Sequence, residues 1–393
     1  MRLTGATDAP LSADCRPEAV EPHTKEPVVS ENITFIGLDV HKRSITVAAR
    51  VPGAAVHEER LPNEPAAVSR WGRRWKRRSG GKLLVAYEAG ACGYALQRQL
   101  EGLGIPCLVV APSLIPRKPG ERIKTDRRDA RKLAEYLEGG HLTPVHPPPP
   151  AQEAARDLCR AREDAKQDRM RCRHRLSKLL LRRGRSYAPG RKHWTVAHRA
   201  WLAELSFDEP AAQIVFDDYR LALAQLDARI DALDRQIEEL AQQPPYRAAV
   251  GALRCFRGID TRTAFGLVTE LHSIEHFDRP SRLMAFVGLV PSEASSGERQ
   301  RRGAITKAGN GHARKLLIEA AWHARHKPAI PVALRQRRKG QPPEVIAMAD
   351  VAQQRLSRRY WHLVQRGKPT TVAATAVARE LAGFVWAALR AVA

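Results

Sequence analysis

The chain has 393 residues, and its 66 Lys and Arg against 42 Asp and Glu give a formal net charge of +24, which favours a polyanionic partner, with nucleic acid as the leading candidate. Six scattered cysteines, without a C-x-x-C pair or histidines at zinc-finger spacing, exclude a disulfide scaffold or zinc finger and predict reduced thiols in a cytoplasmic protein. The first thirty residues lack the apolar core of a secretory signal.

The N-terminal part of the chain predicts a mixed α/β sheet. After a leader at 1–31, expected to be disordered, strand-like segments arrive together and then alternate with helical ones. Predicted strands are 33–40, 44–51, 55–62, 82–90 and 106–112, and predicted helices are 66–81, 93–104 and 124–137. Together they define a predicted domain over 32–140, in which "KLLVAYEAG" has the continuous apolar pattern of a buried central strand.

The remainder of the chain predicts helices. Residues 141–150, "HLTPVHPPPP", indicate a stiff linker because consecutive prolines cannot continue a helix. A basic helical region follows at 151–245, and a C-terminal domain is predicted at 246–393. Apolar residues between Tyr219 and Leu240 alternate at spacings of four and three, which is typical of a coiled coil that can pair chains. The Ala-rich segment 371–393 is interrupted by charges, so we expect a packed helix and no membrane span.

The segment "KTDRRDARKLAEYL" (124–137) places two carboxylates inside a basic run. At 100° per residue, Asp126, Ala130, Leu133 and Leu137 share one stripe, with Asp129 beside it. The opposite side carries mainly basic residues: Arg127, Arg128, Arg131 and Lys132. A solvated ion-pair face would mix the two signs. Two like charges on an apolar face need a cation or hydrogen bonds to compensate them.

Two further carboxylates, Asp39 and Glu88, end the apolar strands "ITFIGLD" and "KLLVAYE". The carboxyl ends of central strands commonly present ligands in α/β sheets. Together with Asp126 and Asp129, they can hold a pair of Mg²⁺ ions about 4 Å apart, with Mn²⁺ as a substitute, for phosphodiester chemistry. The alternative is structural: Asp39 and Glu88 cap strand ends, and Asp126 caps a helix.

The motifs "FIGLDVHK", "YEAG" and "KTDRRDARKLA" resemble the RuvC-like (RNase H-like) domain of DEDD-type insertion-sequence transposases. The stretch 277–322 resembles the C-terminal transposase domain of that family. The resemblance covers most of 33–390, with the motifs in the family's order. It implies that Asp39, Glu88, Asp126 and Asp129 take the four acidic positions of a metal-dependent catalytic site.

The resemblance also implies a serine nucleophile. In the family, a serine followed by glycine in the loop after "GL-x-P" attacks a DNA phosphodiester and forms a covalent phosphoserine link. Ser296 occupies the matching place, and Ser295 is the fallback. The structural alternative is that Ser-Ser-Gly is ordinary loop composition. A serine hydroxyl needs a group that takes its proton, and the loop offers no obvious base. The resemblance implies a composite site in which the acidic residues supply that activation.

Family membership would bring further partners. The resemblance implies oligomers that act on element ends and target DNA, guided by a structured RNA that the element encodes. Two runs without acids, at 171–192 and 299–318, suit the backbone of DNA or RNA. The predicted nucleic-acid contacts are Arg171, Arg173, Arg182, Arg183, Arg299, Arg301, Arg302, Lys307, Arg314 and Lys315.

Two positions depart from these patterns. Asp260 stands in "CFRGIDTRTAFGLV" where relatives commonly have the second glycine of a helix-hairpin-helix turn. His41, beside Asp39, is expected to be a turn residue near DNA rather than a metal ligand. The leading hypothesis is a transposase. The alternatives are a junction-resolving nuclease that uses water as nucleophile, and a noncatalytic nucleic-acid-binding protein.

Overall fold

A computed structural model describes residues 33–116, 125–188, 190–293 and 302–393 of the chain, without the side chains of Ser113 and Arg302. The chain divides into two units between Pro147 and Pro148, inside the proline-rich segment 141–150. The predicted leader at 1–31 lies outside the described residues.

A six-stranded mixed sheet forms the first unit, as predicted. Its strands are β1 (Thr34–Val40), β2 (Ser44–Arg50), β3 (His57–Pro62), β4 (Leu83–Glu88), β5 (Cys107–Val110) and β6 (Pro144–Val145). Their spatial order is β3-β2-β1-β4-β5-β6, with β1, β4 and β5 parallel and the other pairings antiparallel. The two-residue strand β6 was not predicted, because it is too short to show a pattern; it lies at the sheet edge, where proline is tolerated.

Helices pack on both faces of this sheet. Alternate residues of β1, Ile36 and Leu38, join a core that contains side chains of α1 (Pro65–Arg78) and α2 (Ala95–Gly102). Gly37 between them faces α3 (Asp126–Glu138) on the other side, as the period of two along a strand requires. The sheet is therefore covered on both faces, and β1 lies at its centre.

A long helical hairpin begins the second unit. Helix α4 (Pro150–Arg182) packs along α6 (Pro210–Leu240), with α5 (Val196–Glu204) in the connection. Every seventh residue of the predicted heptad pattern, Leu223, Ile230 and Ile237, is buried. Ion pairs such as Arg169–Asp227, at 3.0 Å, also join the two helices. The apolar pattern therefore packs within the chain, and pairing of two chains through a coiled coil stays a prediction.

A helical core with one small hairpin completes the second unit. Its elements are α7 (Arg247–Leu253), α8 (Thr261–Leu271), α9 (Pro280–Phe286), β7 (Pro291–Glu293), β8 (Arg302–Ile305), α10 (Gly311–Ala321), α11 (Val332–Arg338), α12 (Pro343–Gln365) and α13 (Thr370–Arg390). Helix α13 is long and apolar enough to cross a membrane by length and composition, but half of its most apolar window is buried inside the protein. It packs against α12, α10, α9 and α7, as expected of a core helix.

Candidate active site

The position of α3 on the sheet depends on Gly37. A Cβ atom at this position would overlap the backbone oxygen of Ala130 and the backbone nitrogen of Ala134. The helix therefore approaches β1 as closely as two backbones allow. Asp126 lies one helical turn before Ala130, and Asp39 lies two residues beyond Gly37 on the same face of the strand. The close approach consequently brings the first turn of α3 to the carboxyl end of β1.

Asp39, His41 and Asp126 form a cluster at this end of the sheet. The Nε2 atom of His41 lies 3.2 Å from Oδ2 of Asp39 and 3.5 Å from Oδ1 of Asp126. One ligand atom from each residue lies within 4.8 Å of the others, a grouping that can hold a metal ion. His41 belongs to the turn after β1, as expected, but its ring also bridges the two carboxylates, which the sequence reasoning missed.

Burial and neighbouring negative charges both disfavour the ionised form of Asp39 in this cluster. Burial raises the pKa of Asp39 above its ordinary value, His41 opposes this rise, and the negative charges of Asp126 and Asp129 add to it. Asp126 is not a helix cap, because Thr125 takes that position and its side chain accepts from the backbone N–H of Arg128. The structural alternative for Asp126 is therefore wrong. A cation at this site would relieve the repulsion.

Glu88 ends the strand next to β1. The register pairs Leu38 with Tyr87, so the residues that follow them, Asp39 and Glu88, lie at the same level near the carboxyl ends of neighbouring parallel strands. Glu88 is exposed and does not belong to the group of three close ligand residues found in the described chain. Asp129 is half-buried on α3. The charge of Asp129 acts on Asp39, and the role of Asp129 and Glu88 in a metal site stays a prediction.

A groove opens beside Asp126. Its volume is about 510 Å³. Its lining residues are Thr46, Glu58, Glu59, Arg60, Thr125, Asp126 and Arg127. Thr46 is the β2 partner of Asp39 in the sheet register. The groove thus reaches from the acidic cluster across β2 to β3, and it offers both cationic and hydroxyl groups next to the carboxylates.

The predicted nucleophiles lie in the connection between β7 and β8. Ser295, Ser296, Arg299 and Arg301 are outside the described residues, whereas the two flanking strands are described and pair antiparallel.

Backbone hydrogen bonds tie the segment after β8 to the turn before β7. Thr306 N donates to Val290 O at 2.9 Å, and Asn310 N donates to Phe286 O at 2.9 Å. Gly309, at φ +70°, packs against Phe286 so closely that a Cβ atom would overlap its carbonyl. The residues on the two sides of this connection are therefore held together by backbone hydrogen bonds and close packing.

Glu270 organises the start of α10, next to these packed residues. Its side chain is fully buried and accepts hydrogen bonds from Arg160 Nε (2.9 Å), Asn310 Nδ2 (2.7 Å) and His312 Nδ1 (2.9 Å). Burial acts to raise the pKa of Glu270, but the hydrogen bonds from His312, Arg160 and Asn310 lower it to about 2. Asn310 in turn caps α10 by accepting from Ala313 N. Sequence reasoning did not identify Glu270.

The predicted basic contacts fall into two groups. Arg182, Arg183 and Lys307 are exposed, as is Arg171, which pairs with Asp168. The others are engaged within the protein. Arg173 lies over the Trp194 ring at 4.9 Å, Arg314 donates to the carbonyls of Val287 and Ala308, and Lys315 pairs with Glu163. The strand β8 includes Arg302.

Comparisons with known proteins match both units. A DEDD transposase model of the IS110 group matches residues 36–183, and a model described as transposase IS116/IS110/IS902 family matches residues 251–333. The protein y4qE of Sinorhizobium fredii, named as a transposase, is 41% identical over 91% of this chain and 88% of its own length. The transposase for insertion sequence element IS1533 of Leptospira borgpetersenii is 32% identical over 85% and 97%. The transposase for IS1111A of Coxiella burnetii is 26% identical over 65% and 72%.

Proposed function

The chain belongs to the IS110/IS116 family of insertion-sequence transposases, and we propose that it cleaves and rejoins DNA strands through Ser296, assisted by a divalent cation at the acidic site. The observation that carries the metal-site part of the proposal is the cluster of Asp39, His41 and Asp126. It lies at the carboxyl ends of parallel strands, beside a groove lined by three carboxylates and two arginines. Carboxylates that can hold a divalent cation next to cationic groups are suited to phosphodiester chemistry.

The donor set fits a hard divalent cation. Asp39 and Asp126 offer carboxylate oxygens in the cluster, and the family motif adds Asp129 and Glu88. Carboxylate oxygens are the ligands that Mg²⁺ and Mn²⁺ prefer. When bound, such a cation neutralises charge on a phosphodiester and lowers the pKa of an oxygen ligand. The raised pKa of Asp39 supports this assignment, because burial and the neighbouring Asp126 and Asp129 disfavour its charged form and a cation would favour it. His41, hydrogen-bonded to Asp39 at 3.2 Å, orients that carboxylate.

The proposed reaction at Ser296 consists of two successive transfers of a DNA phosphoryl group. The Oγ atom attacks the phosphorus of a DNA phosphodiester, its proton passes to a base, and the bond from phosphorus to one deoxyribose oxygen breaks as that oxygen gains a proton. A strand hydroxyl then attacks the phosphorus of the phosphoserine and gives its proton to a base. The bond from phosphorus to Oγ breaks as Oγ regains a proton, which frees Ser296 and rejoins the DNA. Two observations support this role: the close packing of the residues that flank the β7–β8 connection, and the position of Ser296 in the family motif.

We also propose a guide RNA and a homo-oligomer as partners in the cytoplasm. The exposed residues Arg171, Arg182 and Arg183 suit the phosphates of a structured RNA. Helix α6 exposes Ile214 (69%) and Leu221 (59%), large apolar side chains that a second copy of the chain would cover.

A covalent adduct tests the serine. The protein, purified with the RNA it retains, is incubated with Mg²⁺ and DNA that carries its element junction, and denaturing gels reveal protein attached to DNA. Wild type and Ser295→Ala should form the adduct, and Ser296→Ala should not. Asp126→Asn should lower the yield at least about 100-fold, as expected for loss of a catalytic group.

Other outcomes would select the alternatives. Cleavage without an adduct, unchanged by Ser296→Ala, would reject the serine mechanism and favour a nuclease that uses water. Wild-type activity in Asp126→Asn would reject the role of the acidic site. An adduct lost in Ser295→Ala instead would move the nucleophile by one residue.

A further inference from the structure

A site lined by cationic side chains lies in the helical unit, on residues that the proposed chemistry does not use. It is a cavity of about 220 Å³ between the ends of α7 and α11. Its lining includes Gln242, Arg247, Arg254, Gln336, Arg337, Lys339 and Gln341. Among the described lining residues, four are cationic and none is acidic. We call it the arginine cavity.

The arginine cavity contains hydrogen-bond donors without a partner. The Nε atoms of Arg254 and Arg337 are buried, and neither has an acceptor among the described residues. Arg337 is held in place because its Nη1 donates to the carbonyl of Ile259 at 2.6 Å. Buried donors normally find an acceptor, and these two guanidinium groups line one cavity that has no acidic residue in its described lining. Together they indicate a ligand with acceptor oxygens.

The charges in the cavity point to an anion. Burial lowers the pKa of Arg337, and the neighbouring Arg254 lowers it further, whereas Asp260 acts in the opposite direction. Cations held this close repel one another unless an anion joins them. A water molecule takes about 30 Å³ of the liquid, so the cavity has room for a phosphate group together with several waters.

The neighbouring turn before α8, which contains Asp260, offers no comparable site. Asp260 caps α8 by accepting from Thr263 N at 2.8 Å and pairs with Arg262 at 3.0 Å. Its carboxylate thus occupies the helix end that a phosphate would otherwise approach. Arg337 also lines a different cavity, on the side of Asp260, and the lining of that cavity includes the acidic residues Asp260 and Glu319. An anion is therefore favoured on the side of Arg337 that faces Arg254.

We propose that the arginine cavity binds a phosphate group of the DNA backbone, as a docking contact separate from Ser296 and the acidic cluster. Arginine forks recognise phosphate oxygens through paired charge-assisted hydrogen bonds, and Gln336 and Gln341 add neutral donors at the same cavity. The proposal rests on the DNA-binding part of the proposed function. It does not depend on the serine mechanism.

Salt-dependent binding tests this site. Full-length protein is titrated with a labelled DNA duplex between about 50 and 200 mM KCl, and the affinities of wild type, Arg254→Gln and Lys339→Gln are compared. The matched control is Arg335→Gln, which removes the same charge from an exposed position of α11 outside the cavity. Each cavity variant should bind about tenfold more weakly, with a log–log salt slope smaller by about 1. The control should stay within about twofold of wild type.

A second arm separates DNA from free phosphate. Inorganic phosphate replaces chloride at constant ionic strength, and it should weaken DNA binding by wild type more than by Lys339→Gln. Equal behaviour of cavity and control variants in both arms would overturn the proposal. A difference for inorganic phosphate alone would overturn the assignment to DNA. Lys339 is exposed, so its variant keeps the test valid if Arg254→Gln fails to fold. Since binding needs no cleavage, a failed adduct experiment leaves this result unaffected.

Discussion

Asp39 and Glu270 are carboxylates in the two units with opposite electrostatic surroundings. Glu270 is fully buried, yet Arg160, Asn310 and His312 satisfy it and lower its pKa to about 2. Asp39 is less buried, yet burial and two neighbouring aspartates raise its pKa. The protein therefore supplies three hydrogen-bonding partners to Glu270, whereas Asp39 has, among the described residues, only the His41 ring to oppose burial and two neighbouring carboxylates. The first arrangement stabilises a fold, and the second is suited to an external cation.

Replacing Glu270 should cause the largest loss of stability. Glu270→Gln leaves the Arg160 guanidinium without its carboxylate, so the free energy of unfolding, measured in urea, should fall by about 3 kcal/mol. The matched control is Glu319→Gln, on exposed α10 surface 3.9 Å from Lys315, which should change it by less than about 0.5 kcal/mol. Equal effects of the two variants would contradict the network.

The same comparison predicts a pH dependence. The folded chain holds the proton of Glu270 less tightly than the unfolded chain, whose pKa is near 4.5. Its contribution to stability is therefore complete above about pH 4.5 and is lost as the pH falls toward about 2. The difference in stability between wild type and Glu270→Gln should shrink over that window. A constant difference down to pH 2 would show that Glu270 is not ionised in the fold.

Widening the gap between β1 and α3 should have an intermediate effect. In Gly37→Ala, the new methyl group overlaps the backbone of Ala130, so stability should fall by about 2 kcal/mol and DNA cleavage should be lost as Asp126 moves away from Asp39. The control is Gly102→Ala, where a Cβ atom meets nothing within 4 Å. An active Gly37→Ala protein would show that the spacing of Asp39 and Asp126 is not critical.

Removing the charge of Asp39 should have the smallest effect on stability. Asp39→Asn removes the repulsion from Asp126 and Asp129 and also the charge-assisted hydrogen bond with His41. Because these two effects oppose each other, the free energy of unfolding without metal should change by less than about 0.5 kcal/mol. Wild type should gain about 1.4 kcal/mol from Mg²⁺ at ten times its Kd, and Asp39→Asn should gain less. An identical Mg²⁺ effect in both proteins would place the cation elsewhere.

Local patterns predicted much of the first unit. The apolar runs of β1 and β4 and the stripe of Ala130, Leu133 and Leu137 on α3 follow from the short repeats of strands and helices. The two aspartates were therefore expected on the face of α3 that packs against the sheet. The bridging ring of His41 was not expected, because its position depends on where α3 lies relative to the turn after β1.

Contacts between distant segments were not predictable in the second unit. Glu270 meets Arg160 across 110 residues and His312 across 42, and no spacing rule links such positions. Arg254 and Lys339 lie at the ends of different helices, and the short basic stretch at 335–339 was not among the runs singled out in the sequence. Conversely, Arg314 and Lys315 belong to a basic run, yet they bind partners within the protein. Charge clustering in the sequence therefore predicted the class of partner, but it did not predict which individual residues are available to contact that partner.

Helix α13 also affects how this protein is made. Its side chains, including Val377, Leu381 and Val385, lie inside a core that begins with residues of α4. A ribosome must therefore synthesise more than 200 further residues after Cys159 before that core can close. Until Thr370–Arg390 emerge, the nascent chain displays apolar surface that chaperones recognise. Frameshifts or stop codons upstream of α13 would consequently yield chains prone to aggregation.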